Sequence, residues 1–71
     1  MGVRTVLAIM RFSRGMTQEE LAERADVAKN TVQRLERGEL PTLKVAIRVA
    51  EALDADVSTL FLADRDEERV A

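Results

Sequence analysis

The helical periodicity of this sequence is interrupted at short intervals, and this limits the fold more than any other feature. Gly15 and Gly38 each follow a segment with apolar residues at helical spacing, and Pro41 precedes another such segment. Glycine readily adopts the left-handed backbone that ends a helix, whereas proline is excluded from a helix interior. Aromatic strand formers number only two, and Ala, Leu, Glu and Arg predominate, which favours helices. We therefore predict an all-α fold of short helices.

Five helices are expected in one compact domain over residues 1–62, followed by a charged tail over residues 63–71. The helices should span residues 3–13, 17–24, 28 or 29–37, 43–53 and 57–62. Thr17 and Glu20 have the spacing of a capping box, in which each side chain bonds to the backbone of the other residue. Thr42 and Asp56 are expected to cap the fourth and fifth helices. Gly15 should end the first.

The sequence contains neither cysteine nor histidine. These absences remove disulfides, thiol nucleophiles, the imidazole general base and the commonest ligands of transition metals. We therefore expect neither an enzyme nor a cofactor. No apolar run approaches the roughly 18 residues of a transmembrane helix, and residues 1–10 do not resemble a signal peptide. These features favour a cytoplasmic protein that has no membrane partner.

Charge is distributed unevenly along the chain. The net charge is −2, yet residues 1–50 carry nine basic and six acidic side chains, whereas residues 51–71 carry two and seven. The two parts therefore have opposite net charges, +3 and −5. Because a nucleic acid contacts one face of a protein, the overall charge does not exclude it as a partner.

One face of the third helix has a distinctive composition. At 100° per residue, an arc of about 140° contains Lys29, Gln33, Arg37, Asn30 and Arg34, opposite a small apolar face. None of these residues is acidic. Asn and Gln can bond bidentately to adenine, and Arg or Lys to guanine, in a major groove that admits an α-helix. The arc suits both a solvated surface and a base-reading surface, and the lack of acidic residues modestly favours the second.

Taken together, these segments resemble the phage repressor and Cro-like helix-turn-helix family. The resemblance covers residues 3–62 and is carried by Met16-Thr17-Gln18-Glu19-Glu20-Leu21-Ala22, residues 27–35, Glu36-Arg37-Gly38, Pro41-Thr42-Leu43, Ala50-Glu51-Ala52-Leu53 and Val57-Ser58-Thr59-Leu60-Phe61. It implies a five-helix domain that binds double-stranded DNA through the third helix and regulates transcription. It also implies that the protein commonly binds as a dimer to a two-fold operator.

The resemblance also implies roles for individual residues. Gln18, in the first turn of the second helix, corresponds to a phosphate contact that supports the recognition residues. Arg37 and the backbone beyond Gly38 correspond to a loop that meets phosphate. Arg11 and Glu36 match a buried structural pair. The base-reading positions are occupied by Ala28, Lys29, Asn30 and Arg34, with Gln33 beside them.

Three residues depart from the family pattern. Ala28 stands where Ser or Thr is usual, so the third helix should lack a side-chain cap. Asp26 stands where Gly is frequent, which predicts a strained turn. Glu39 follows the turn glycine and would repel a nearby phosphate.

The last two helices carry more apolar residues than one small core can cover. Leu43, Ala46, Ile47, Ala50 and Leu53 follow helical spacing and are expected to face inward; Val45, Val49, Ala52, Phe61 and Leu62 are in excess. Two explanations stay open for Phe61 and Leu62. The final turn folds onto the first helix, or these residues form a homodimer seam near Val49.

An alternative function uses the same fold to hold another protein, as an adaptor or an antitoxin does. The acidic residues after position 50, including those within 64–68, are the feature that is consistent with this alternative.

Overall fold

The computed structural model describes residues 5–62, and within this range the chain forms five helices. They are α1 (Val6–Ser13), α2 (Gln18–Ala25), α3 (Lys29–Glu36), α4 (Leu43–Leu53) and α5 (Ser58–Leu62). The first four are α-helices, and α5 is a short π-helix. The all-α prediction is confirmed for this part of the chain, and the expected tail lies outside it. No helix among the described residues is long and apolar enough to cross a membrane.

α1 begins later than the sequence predicted. Thr5 has an extended backbone, and its hydroxyl oxygen accepts a hydrogen bond from the Ala8 amide at 3.2 Å, which makes Thr5 the N-cap. At the other end Gly15 has a φ of +69°. Its N–H donates to the Phe12 carbonyl at 2.9 Å, and the Met16 N–H donates to the Arg11 carbonyl at 3.1 Å. These two bonds form a Schellman motif, so Gly15 has its predicted role.

The predicted caps of α2 and α4 are confirmed, and that of α5 is wrong. The Thr17 hydroxyl accepts from the Glu20 amide at 3.0 Å, and the Thr17 amide donates to Glu20 Oε1 at 2.9 Å. Thr42 accepts from the amide three residues later at 3.3 Å. α5 begins at Ser58, and within residues 5–62 the Asp56 side chain makes no hydrogen bond. Asp56 joins α5 through its backbone instead, because its carbonyl accepts from the Leu60 amide at 3.2 Å.

Aspartates occupy the left-handed position after both α2 and α4. Asp26 has φ +58° and Asp54 has φ +55°. The amide after each one donates to a carbonyl five residues back, from Val27 to Ala22 at 3.0 Å and from Ala55 to Ala50 at 2.9 Å. A side chain in this conformation is strained, although Asp tolerates it better than most residues do. The strain predicted at Asp26 is therefore present, and Asp54 adds a second strained turn that the sequence analysis missed.

α2 lies at the centre of the packing. It contacts both α3 and α4, while α1 contacts α3 and α5. The core contains Leu7, Met16, Leu21, Ala22, Ala25, Val32, Leu35, Val49, Ala50, Leu53 and Leu60. Every helix contributes at least one of these residues. Val32 and Leu35 anchor α3 to this core.

The buried face of α4 differs from the predicted one. Leu43 is 73% exposed and Ile47 is 42% exposed, although both were expected inside, whereas Val49 is fully buried. Val49 therefore belongs to the core of a single chain, and its predicted place in a dimer seam is wrong. Helical spacing allows either of two neighbouring arcs to face inward, and contact with α2 selects the arc that contains Val49.

α5 is placed as the first of the two explanations expects. It packs against α1, and Phe61 is partly buried against the core. The homodimer seam at Phe61 stays a prediction because the core covers only part of its side chain. The side chain of Leu62 lies outside the described part of the structure, so its predicted place in a seam stays a prediction.

The strained turn after α4 generates a testable prediction. Asp54→Gly should be more stable than Asp54→Ala by about 1 kcal/mol, because only glycine adopts φ near +55° without a steric cost. Urea denaturation followed by circular dichroism measures the difference. The same two residues introduced at Glu51, which is exposed and lies within α4, provide the control, because a helix interior favours alanine over glycine. There glycine should be no better than alanine, and a preference for glycine at both sites would contradict the assignment of strain to the left-handed turn.

Candidate nucleic-acid interface

α3 lies at the surface with its apolar face in the core. Val32 is fully buried and Leu35 is 5% exposed. On its other side are the residues that the sequence analysis selected: Ala28, Lys29, Asn30, Arg34 and Arg37 are exposed, and Gln33 is partly buried. The structure therefore places the predicted arc on one accessible face. The polar side chains of that face project from a helix whose opposite face is buried.

Three residues separate α2 from α3. Asp26 turns the chain through its left-handed backbone, and Val27 is partly buried against the core. Ala28 has an extended backbone and forms no side-chain cap on α3, as predicted from the sequence. α2 and α3 pack against each other across this turn, which is the arrangement of a helix-turn-helix.

A buried carboxylate connects the end of α3 to α1 and α2. Glu36 Oε2 accepts from Arg11 Nε at 2.6 Å, and Glu36 Oε1 accepts from Arg11 Nη2 at 3.1 Å. Glu36 Oε1 also accepts from Gln18 Nε2 at 2.9 Å. Arg11 completes the cluster by donating from Nη1 to the Met16 carbonyl at 2.8 Å. The side chains of Arg11 and Glu36 are only 8% and 10% exposed, so the geometry matches the expected buried pair.

Gln18 has a different partner from the one that its predicted role suggests. Its amide donates to Glu36 in the last turn of α3, rather than to a residue of the base-reading set. No pattern in the sequence indicates this contact, because the two residues are 18 positions apart and belong to different helices. The amide is held by the carboxylate, which stabilises the orientation of Gln18 at the start of α2.

The first turn of α2 retains amide groups that could meet an anion. The capping box uses the N–H groups of Thr17 and Glu20. Within residues 5–62 the N–H groups of Gln18 and Glu19 have no acceptor. Free N–H groups at the positive end of a helix dipole favour a phosphate.

An ion pair at the end of α3 was also missed by the sequence analysis. Arg34 Nε donates to Glu39 Oε1 at 3.0 Å, and the two side chains are 55% and 50% exposed. By contrast, Lys29 and Arg37 form no ion pair with any other residue of 5–62. The five-residue spacing of Arg34 and Glu39 across a glycine was the one signal in the sequence that could have suggested this contact.

Within the described range, no group of three or more acidic, His or Cys side chains is arranged to bind a metal ion. The accessible face offers hydrogen-bond donors and positive charge instead.

Comparison with known proteins decides the family. A helix-turn-helix family model matches residues 7–60. The chain belongs to the helix-turn-helix family. The family is of the Cro and C1 type, so the resemblance drawn from the sequence is confirmed.

Relatives from archaea resemble this helix-turn-helix chain over most of their length. One from Archaeoglobus fulgidus is 38% identical over 66 residues, which are 92% of this chain and 94% of the relative. One from Methanothermobacter thermautotrophicus is 41% identical over 66 residues, or 90% and 96% of the two chains. One from Methanocaldococcus jannaschii is 31% identical over 62 residues, or 86% and 94%. All three are described as uncharacterized helix-turn-helix-type transcriptional regulators. No solved structure matches the chain significantly.

The buried pair generates a prediction about stability. Glu36→Ala should cost about 3–5 kcal/mol, because it leaves Arg11 buried without its carboxylate. A double-mutant cycle with Arg11→Met, measured by urea denaturation, isolates the interaction between the two residues. The exposed Arg34 and Glu39 pair is the matched control, and its coupling should be about 0.2–1 kcal/mol. A coupling below about 0.5 kcal/mol for Arg11 and Glu36 would contradict the prediction.

Proposed function

We propose that this protein is a sequence-specific transcriptional regulator that binds double-stranded DNA with α3 in the major groove. The observation that carries the proposal is the exposed face of α3, where Lys29, Asn30 and Arg34 project from a helix anchored by buried apolar residues. An α-helix fits the major groove, and these side chains can bond to base edges. Residues 1–62 form the DNA-binding domain in this proposal. The protein acts in the cytoplasm, on the nucleoid.

Bases and phosphates are contacted by different residues in the proposed complex. Lys29, Asn30 and Arg34 read bases, with Ala28 and Gln33 beside them. Gln18 and the free amides at the start of α2 bind one phosphate, and Arg37 binds another beyond the end of α3. Phosphate contacts fix the position of the protein on the duplex, whereas base contacts select the sequence. The charge on this face supports this division between base and phosphate contacts. Arg37 has no acidic partner within residues 5–62, so its charge is available to a phosphate.

We further propose that the protein binds a two-fold operator as a homodimer. One recognition helix makes few contacts, and a dimer places two of them in major grooves about 34 Å apart. Two apolar regions are available for such a seam. The first is the part of Phe61 that the core does not cover. The second comprises the exposed side chains of Leu40, Leu43 and Ile47.

The same exposed apolar residues favour a second candidate function, in which the fold holds another protein. Leu40 is 57% exposed and Leu43 is 73% exposed, and exposed apolar patches often mark protein interfaces. One measurement separates the two functions. Retention of mixed genomic fragments that weakens steeply with salt supports DNA binding. Stoichiometric co-purification of one other protein, without retention of DNA, supports the adaptor.

Two substitutions test the proposed division of roles. Arg34→Ala should cost about 1–3 kcal/mol on the best site and relax the preference at one base position. Arg37→Ala should weaken binding to all sequences and make the salt dependence shallower, because it removes a phosphate contact. Fluorescence anisotropy, with a duplex selected from a random pool and with a mixed-sequence duplex, measures both effects. Unchanged site selection by Arg34→Ala would remove its base-reading role.

The dimer is tested by mass in solution. The wild type should sediment at twice the chain mass at tens of micromolar, and Phe61→Asp should shift it towards the monomer and weaken operator binding. Ile9→Asp is the control, because Ile9 is 51% exposed on α1 and lies outside both proposed regions. Circular dichroism verifies that each variant is folded, which matters because Phe61 is partly buried.

Ile47→Asp distinguishes between the two apolar regions. If this variant dissociates the dimer and folded Phe61→Asp does not, the seam runs over α4, and the prediction for Phe61 is wrong. A wild type that sediments as a monomer and occupies a single half-site on DNA would exclude both seams.

A further inference from the structure

We propose that Glu39 is a positioning residue that determines sequence specificity by holding the guanidinium of Arg34. The inference rests on the proposed function, in which Arg34 reads a base, and it adds an intramolecular partner that restricts what Arg34 can bind. From the sequence, Glu39 was expected only to repel a nearby phosphate, whereas the structure places its carboxylate on the arginine itself.

The turn after α3 brings Glu39 and Arg34 together through both their backbones and their side chains. Gly38 has φ +102°, and its N–H donates to the Leu35 carbonyl at 3.0 Å. The Glu39 N–H then donates to the Arg34 carbonyl at 3.2 Å. The side chains of the same two residues meet at 3.0 Å. The backbone turn therefore places Glu39 next to Arg34, and less conformational freedom is lost on forming the pair than in a contact between distant elements.

The contact engages only one of the three guanidinium nitrogens. Glu39 accepts from Nε, and within residues 5–62 the two terminal nitrogens of Arg34 have no acceptor. A guanine can therefore accept two parallel bonds from these terminal nitrogens at O6 and N7 while the carboxylate stays in place. Arg11 shows the contrasting arrangement, in which Nε and Nη2 together hold one carboxylate.

The same carboxylate opposes the binding of a phosphate to Arg34. A phosphate that approached the Nε edge of Arg34 would have to displace Glu39 and would meet its negative charge. The ion pair is about half exposed. Its displacement should therefore weaken the binding of phosphate to Arg34 by a factor of only about 1.4 to 5. That factor acts against non-specific binding, because random DNA offers Arg34 phosphate more often than a correctly placed guanine. Glu39 thus increases the ratio of specific to non-specific affinity.

The experiment compares Glu39→Gln with the wild type on three duplexes. These are the selected site, the same site with the base pair read by Arg34 replaced, and a mixed-sequence duplex. We expect the variant to bind the mixed-sequence duplex about 1.4- to 5-fold more tightly and to lose about 1.4- to 5-fold of its preference for the correct base pair. In an Arg34→Ala background, Glu39→Gln should no longer alter the base preference.

The matched control is Glu19→Gln. Glu19 is an exposed carboxylate in the first turn of α2, next to the proposed phosphate contact of Gln18, and it forms no ion pair within residues 5–62. Its loss removes the same charge near DNA, so it should strengthen binding to all three duplexes equally. If Glu39→Gln also acts equally on all three, the inference is overturned, because general electrostatics then explains the effect.

The outcomes separate this inference from the proposed function. If the wild type binds no duplex, the proposed function fails and the inference fails with it. If the wild type binds with a base preference that Arg34→Ala removes and Glu39→Gln leaves unchanged, only the inference fails. A loss of preference by Glu39→Gln that persists without Arg34 also overturns it.

Discussion

The carboxylate of Glu36 fixes the relative positions of three helices. Its two oxygens accept three hydrogen bonds, two from Arg11 on α1 and one from Gln18 on α2, while Glu36 itself ends α3. A buried charge without partners is costly, so this cluster tolerates few other arrangements of the helices. In a chain of 71 residues, where the apolar core alone contributes little, such a constraint orients the start of α2 relative to α3. The proposed DNA interface depends on that orientation.

Residues with a left-handed backbone lie before and after α3, at the two ends of the proposed DNA interface. Asp26 turns the chain before α3, and Gly38 turns it after α3. The first turn carries strain that a glycine would remove, and the second returns Glu39 to Arg34. The same backbone feature therefore has two consequences. It ends helices at fixed points, and it decides which charged side chains meet at the edge of the proposed interface.

The net charge of the chain gives little information about this interface. The protein is acidic overall, whereas the exposed face of α3 carries Lys29 and Arg34 with Arg37 just beyond it. Ion pairing divides these cations further, because Arg34 is held by Glu39 and the other two have no acidic partner within residues 5–62. Electrostatic attraction to phosphate and selectivity for bases can therefore come from different residues of one short segment.

The sequence by itself determined the all-α fold class and four of the five approximate helix positions. It also determined the caps at Thr17 and Thr42 and the polar face of α3. All of these depend on local spacing and local hydrogen bonds. The Arg11–Glu36 pair came from resemblance to a family. Tertiary structure decided the rest. Whether Ile47 or Val49 faces inward depended on how α4 lies against α2, since helical spacing permits both. The contact of Gln18 with Glu36 likewise depended on how the helices pack, because the two residues are 18 positions apart on different helices. The contact of Arg34 with Glu39 depended on the turn at Gly38, since the five-residue spacing alone does not specify the backbone geometry that brings the two side chains within hydrogen-bond range.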